Sequence, residues 1–337
     1  MAPFVWGGAE ELAANLVTRL EATGQEAELL RIPFKWDPYE RLLEEMLLCR
    51  SMRLVNVDRV IAMKFPAYLI PHSRKTMWIP HQYRQAYDLF DSGHSNIPPS
   101  PRGDEIRRII RETDISCFQS AERLFGVSQV IADRMRKYNG IDCEVLMPPL
   151  NDPERFTGGE ASFYIFAGGR VSEGKRQHLL IEAMRYSKTN INLVVAGPPE
   201  NSDYAHRLED IVTRNNLQSR VTLDLRFLPR ETYAQYVNAA RAVAYAPLDE
   251  DSVGYVTMEA FQAHKPVVSV SDSGGLLQIV IDKMTGLISP PTPEQLGEAF
   301  DRIASSTKDA IAWGHAGHDL WKDMKITWTD TINRLLQ

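Results

Sequence analysis

Asp251 and Glu259 stand eight positions apart, with Gly254 between them and the apolar run Ala242–Pro247 just ahead. A short loop carrying Asp251 is expected to run into a helix starting near Ser252 or Val253. At 3.6 residues per turn, Glu259 then sits about a turn and a half into that helix. Both carboxylates can face one site, with the free backbone N–H groups of the helix start between them. That arrangement suits a ligand with an anionic centre flanked by hydroxyls, as in a nucleotide sugar: sugar hydroxyls to one acid, diphosphate to the helix N-terminus, ribose hydroxyls to the other acid. Two acids at this spacing also occur by chance on solvated helix faces, so the pair takes its meaning from its surroundings.

Those surroundings hold further groups at the ends of β-rich runs. Gly168-Gly169-Arg170 follows the run 162–167, and Lys175 lies five residues beyond Arg170. An arginine fork and a lysine point charge there can neutralise a diphosphate; the plain alternative is that Lys175 and Arg176 are surface charges. Ser273-Gly274-Gly275 follows the run 266–270 and either lets backbone approach a ligand or makes a tight strand–helix turn. Gly7 and Gly8 open the first helix in the same way. His81 ends another strand, where a neutral imidazole can bond a sugar hydroxyl or serve a purely structural role. The run Asp249-Glu250-Asp251 has the look of a cation site, but no histidine or further carboxylate cluster supports it, and no metal is expected. No G-x-G-x-x-G follows a strand, which speaks against a dehydrogenase.

The elements that must position these groups alternate along the chain. In the second half, strands are expected at 162–167, 191–196, 221–225, 242–247 and 266–270. Helices are expected at 175–186, 203–215, 230–240, 253–264 and 294–305, the last with Thr292, Pro293 and Gln295 as its start signal. This is the pattern of a parallel sheet covered by helices. The first half alternates less cleanly, with helices at 9–23, 102–112 and 128–138 and strands at 27–32, 60–65, 76–80, 115–119 and 143–147. Met147–Phe156 reads as a linker. The expected fold class is therefore α/β, with two Rossmann-like parallel-sheet domains, residues 1–152 and 153–317, facing a cleft where ligands lie beyond the strand ends.

The 337-residue chain carries a net charge of −6, and neither half is basic, so nucleic acid is not an expected partner. Arg107, Arg108, Arg111, Arg134, Arg136 and Lys137 form a local basic cluster, either a membrane-facing patch or the solvated face of two helices. Cys49, Cys117 and Cys143 form no CxxC and read as buried thiols of a reducing cytoplasm. No run is long enough to span a bilayer, and the N-terminus lacks the pattern of a secretory signal. The expected location is cytoplasmic, with peripheral contact at the inner membrane surface as a further reading.

Taken in order, these motifs resemble the family 4 retaining glycosyltransferases, which have the GT-B fold. Gly168-Gly169-Arg170 with Lys175 resembles the family's diphosphate clamp, and Asp251–Glu259 its E-x7-E motif. Ser273-Gly274-Gly275 is similar to its following glycine turn, Gly7-Gly8 to its N-domain glycine loop, and His81 to its N-domain histidine. The resemblance implies that Arg170 and Lys175 stabilise the leaving diphosphate, that Asp251 holds donor-sugar hydroxyls and that Glu259 holds the ribose. It further implies that amides of Gly254, Tyr255 and Val256 bind phosphate or sugar oxygens, that main chain near Arg226 and Phe227 reads the base, and that Gly7, Gly8 and Gly169 approach the diphosphate. His81 would contact the donor sugar, and a last helix, about 318–337, would pack back on the N-domain. No cofactor is implied beyond a UDP-sugar donor, and the acceptor class is a glycan or lipid-linked saccharide. Three departures stand out. Asp251 is one methylene shorter than Glu, Gln278 stands where Glu is common, and only six residues precede Gly7 where the family has its first strand, which leaves three readings: a truncated start, a stub supplied by Pro3–Trp6, or a weakened N-domain. Two alternatives stay open: a nucleotide-sugar-binding protein with little transfer activity in a polysaccharide-assembly complex, and a GT-B nucleotide-sugar epimerase.

Overall fold

The computed structural model describes residues 7–337, so Pro3–Trp6 lies outside the described residues. The chain divides into two compact units, 1–149 with 327–337, and 150–326.

The first unit contains α1 (Gly8–Glu21), α2 (Leu42–Ser51), β1 (Val60–Ala62), β2 (Lys75–Ile79), α3 (Asp88–Asp91), α4 (Pro101–Gln119), β3 (Arg123–Gly126), α5 (Gln129–Asn139) and β4 (Glu144–Val145). Its four strands are parallel in the order β1-β2-β3-β4. β2 is central and buried along its whole length, as a parallel strand covered on both faces must be. The C-terminal helix Trp328–Leu336 packs on it, with Thr76 Oγ1 donating to the Leu335 carbonyl at 3.1 Å. The helix before it, Thr307–Asp323, belongs to the second unit, so the returning segment is shorter than 318–337.

The second unit contains β5 (Tyr164–Gly168), α6 (Gln177–Ala183), β6 (Asn192–Ala196), α7 (Ser202–Arg214), β7 (Val221–Asp224), α8 (Arg230–Ala239), β8 (Ala242–Ala244), α9 (Tyr255–Gln262), β9 (Val267–Val270), β10 (Gly286–Ser289), α10 (Pro293–Ser305) and α11 (Thr307–Asp323). Six parallel strands lie in the order β10-β9-β8-β5-β6-β7. The chain winds outward from β5 through β6 to β7, then crosses to β8 and winds the other way. The order therefore reverses between β5 and β8, and the loops leaving those two strands diverge at that point. The start signal of α10 is present: Thr292 Oγ1 accepts from the Gln295 amide, with Pro293 in the first turn.

Several expected elements differ. Ala27–Ile32 is not a strand; Ala27 and Ile32 pack against the core from an irregular segment. The expected strand 115–119 is the end of α4, whose buried positions Ile106, Ile110, Asp114 and Cys117 keep helical spacing throughout. α2, β3 and β10 were not expected. α9 begins at Tyr255, two residues later than the expected 253.

The Ser273-Gly274-Gly275 turn has a structural reason. Gly274 has φ +79, and a Cβ there would lie 2.5 Å from the backbone N and O of Glu250. The Gly275 amide donates to the Glu250 carbonyl at 2.7 Å, and the Glu250 amide to the Ser273 carbonyl at 3.0 Å. The turn thus clamps the loop that carries the acidic run. We expect Gly274→Ala to destabilise the protein by about 1–3 kcal/mol in urea unfolding. Gly174→Ala, where a Cβ meets nothing within 4 Å, should leave the unfolding midpoint unchanged.

Candidate functional site

The β5 loop and the β8 loop meet where the strand order reverses. Lys175 ends a short 3-10 turn, Glu173–Lys175, after β5. Its ammonium forms an ion pair with Glu250 and donates to the Tyr245 hydroxyl at 2.8 Å. Burial works against the Lys175 charge, but Tyr245 and Glu250 outweigh it and hold the ammonium above its ordinary value. Burial and the Glu250 charge push the Tyr245 hydroxyl up to about 12, so it stays protonated at neutral pH.

Tyr245 also places the start of α9. Gly254, the N-cap residue, has φ +76, and a Cβ on it would lie 2.6 Å from the tyrosine ring and 3.1 Å from its hydroxyl. A Cβ on Gly169 would sit 3.4 Å from Val256 Cγ2. The β5 loop therefore lies against the first turn of α9. The first amides of a helix have no acceptor within it, so those of Tyr255 and Val256, with the positive end of the helix dipole, share one region with the Lys175 cation. That region favours an anion.

Arg176 is not the surface charge it could have been. It has φ +54, and its guanidinium donates to the Ala246 and Pro247 carbonyls at 2.8 and 2.7 Å and grips Asp272 with two bonds. It ties the β5 loop to the end of β8. Arg170 is exposed and has no ion pair among the described residues.

Of the acidic pair, Asp251 is buried in the β8 loop, and Glu259 lies on α9 with 2% exposure. Glu259 Oε1 accepts from Arg230 Nη1 at 2.6 Å, and Arg230 also holds Asp152 with both faces of its fork, at 3.0 Å on the nearer bonds. The guanidinium stacks 4.8 Å from the Phe156 ring centre. Burial opposes the Arg230 charge, and Glu259 and Asp152 more than restore it. Glu259 is thus held rigidly by Arg230. Spacing alone singled out Asp251; it gave no reason to choose Glu250, Tyr245, Arg230 or Asp152. The one available signal for Glu250 was its place in the acidic run.

The remaining expected residues fall as follows. Arg226 is exposed and donates to Asp224 at 2.6 Å, and Phe227 is 72% exposed, both in the loop after β7. In the first unit, Gly7 caps α1 and Gly8 begins it. His81 follows β2, half-buried, with Nδ1 2.8 Å from the Gln82 carbonyl. The basic cluster of the first unit is internally engaged. Arg107 lies 3.4 Å over the Phe90 ring and near Asp91 and Asp104, Arg108 pairs with Glu112, Arg111 donates to the Tyr138 carbonyl, Arg134 pairs with Asp88 and Arg136 with Asp142. Lys137 bonds Tyr138. Among the described residues, no group of three His, Cys, Asp or Glu could hold a metal ion, and no helix is long and apolar enough to cross a membrane.

Residues 152–319 match the family described as Glycosyl transferases group 1, almost the whole of the second unit. This unit is thus similar to a group 1 glycosyltransferase domain. The chain is 28% identical over 253 residues to D-inositol 3-phosphate glycosyltransferase of Mycobacteroides abscessus, covering 71% of this chain and 54% of that protein. It thus spans about half the length of that curated relative. The structure is similar to sucrose-phosphate synthase from Thermosynechococcus elongatus, with a TM-score of 0.74 at 19% identity over 98% of this chain and 92% of that one. It is also similar to Anabaena Alr3699/HepE solved in complex with UDP-glucose, with a TM-score of 0.71 at 16% identity over 98% and 95% of the two chains. The fold is GT-B: two α/β units, each built on a parallel sheet.

Removing one partner of a buried ion pair leaves the other charged and uncompensated, which costs about 3–5 kcal/mol. We expect Arg230→Met to destabilise by roughly 3 kcal/mol for that reason. Adding Glu259→Gln should recover a large part of the loss. A double-mutant cycle in urea measures both, and simple additivity would show that the pair does not interact.

Proposed function

We propose that this chain is a metal-independent, retaining glycosyltransferase of family 4. In this reading it moves a hexose, glucose first among candidates, from a UDP-sugar to a hydroxyl of a glycan or lipid-linked saccharide. The observation that carries the reading is the Lys175 ammonium, kept charged beside the first turn of α9 where the strand order reverses.

Charge that develops on a departing diphosphate would be met by Lys175, by Arg170 and by the α9 amides, and electrostatic stabilisation of this kind is often the largest single contribution to catalysis. The leaving phosphate would itself take the acceptor's proton, so no general base from the protein is required. Glu259, fixed by Arg230, is assigned to the ribose hydroxyls by the family resemblance, and Gly169 leaves room for the diphosphate. Glu250 joins Asp251 as a candidate for the donor-sugar hydroxyls. The roles of Arg226, Phe227, Gly7, Gly8 and His81 follow the family resemblance. The site needs no cofactor beyond the donor substrate.

One observation favours a second reading. Lys175 is already paired with Glu250, so a diphosphate must compete with that carboxylate. A protein that binds a nucleotide sugar and transfers it slowly or not at all would tolerate this better than a fast enzyme.

A thermal-shift screen of UDP-, GDP- and ADP-glucose identifies the donor, since a ligand at a hundredfold its Kd adds about 2.7 kcal/mol of apparent stability. With UDP-glucose and a saccharide acceptor, Lys175→Ala and Arg170→Ala should each lower kcat for UDP release about 10²–10³-fold. Near-normal turnover in both variants would overturn the assignment. A robust shift with UDP-glucose and no UDP release from the parent protein would favour the binding protein.

A further inference from the structure

The first unit contains a buried polar chain that starts beside His81 and ends on α4. Gln82 Nε2 donates to Asn139 Oδ1 at the end of α5. Asn139 Nδ2 donates to the Tyr87 hydroxyl at 3.1 Å, and Tyr87 donates to Asp114 Oδ2 at 2.7 Å. Tyr68 donates to the other oxygen, Oδ1, at 2.8 Å. All five residues are buried; Asp114, Tyr68 and Tyr87 have no exposure, Gln82 has 2% and Asn139 8%. Asp114 has no ion pair among the described residues, although a buried carboxylate ordinarily has one.

The bonds of this chain all run one way. A tyrosine has one hydroxyl hydrogen. Once Tyr87 gives it to the Asp114 carboxylate, the hydroxyl must accept from Asn139. Asn139 has then turned its NH2 group toward Tyr87 and must offer its oxygen to Gln82. The acceptor at the far end thus dictates which way the Gln82 amide faces. Gln82 also bears on His81 directly, because the Gln82 carbonyl accepts from Nδ1 of that ring. Nδ1 then carries the hydrogen, and in the neutral ring Nε2 is left as an acceptor.

We propose that Asp114 is a positioning residue for the His81–Gln82 turn at the carboxyl end of β2, acting through Tyr87 and Asn139. The relevance to sugar transfer rests on the reading of His81 given above; the link from Asp114 to Gln82 does not.

The chain is built to respond to protons. Burial pushes the Asp114 carboxyl up to about 7, against the opposing pull of the Tyr87 and Tyr68 hydroxyls. The other groups facing it are Lys75 on β2, which bonds the Tyr68 carbonyl and Cys117, together with Cys117 itself and Arg111 on α4, the latter stacked 5.6 Å from the Tyr87 ring centre. A proton on Oδ2 makes Asp114 a donor to Tyr87, and the chain can reverse link by link as far as Gln82. The folded-state value lies above the ordinary 3.8. The stability contributed by this group is therefore full below about pH 4 and is lost as pH rises through about 7.

The Gln82 side-chain amide does not itself titrate, so its NMR resonances report its neighbours. In the parent protein they should shift through an inflection near pH 7. That inflection should persist in His81→Ala and vanish in Asp114→Asn, whose unfolding midpoint should also lose its fall across the same range. If Asp114→Asn fails to fold, Tyr87→Phe, which cuts the chain at its middle link, should abolish the inflection while leaving Asp114 with Tyr68. A flat response in the parent protein, or an inflection that survives both Asp114→Asn and Tyr87→Phe, would overturn the proposal. UDP release from UDP-glucose should carry the same pH inflection in the parent and lack it in Asp114→Asn. An enzyme with no turnover would leave the NMR titration to decide on its own, and would count only against the reading of the site.

Discussion

The reversal of strand order between β5 and β8 is the constraint on which the second unit depends. Strands wound outward in opposite directions leave two loops that have no helix crossing between them, and backbone amides and side chains gather in the opening. Lys175 comes from one loop, Tyr245 and Glu250 from the other, and their contact spans the reversal. Everything else in that region serves to hold the two loops at the required distance. Arg176 anchors the β5 loop to carbonyls at the end of β8, Gly274 lets the turn after β9 clasp Glu250, and Gly254 makes room for the Tyr245 ring under the start of α9. The glycines that looked like ligand-approach positions are, at Gly254 and Gly274, positions where protein approaches protein. That does not oppose a ligand role for the neighbouring amides; it explains how those amides come to be presented in a fixed direction.

How legible this was in the sequence varied with the kind of element. The second unit alternates short apolar strands with helices, and a strand buried on both faces leaves an unbroken apolar run that is hard to mistake. The strands that escaped notice, β3 and β10, are four residues each and begin with Arg123 and Gly286, which interrupt the signal. The long helix α4 looked shorter because its buried stripe contains a carboxylate: Ile106 and Ile110 are followed, at the same spacing, by Asp114. A charged residue on the core face reads as the end of an amphipathic pattern, when here it is the anchor of the polar chain that the helix exists partly to bury. In the same way, counting eight positions back from Glu259 led to Asp251. Nothing in spacing shows that Glu250, one residue earlier, meets the lysine. Side-chain partners such as Arg230 and Asp152, 78 residues apart in the chain, are set by tertiary packing and have no local signature.

The two units fix their polar side chains by different physics. In the second, Asp152, Arg230 and Glu259 form a partly buried ionic group whose Glu259 carboxylate is the buried member. Such groups are poor sources of stability, because desolvation consumes most of the attraction, and a well-packed apolar set of similar volume often does as well or better. Retaining charge there makes sense if a carboxylate must stay ionised and aimed, and a guanidinium with a flat, rigid fork is the side chain best suited to aim it. In the first unit the corresponding device is a chain of neutral hydrogen-bonding groups that ends on one carboxylate without a cation. Ions tolerate no change of state without a large penalty, whereas a chain of hydroxyl and amide groups can reverse its direction at small cost and keep every partner satisfied. The ionic group is therefore a fixed support, and the neutral chain is an adjustable one.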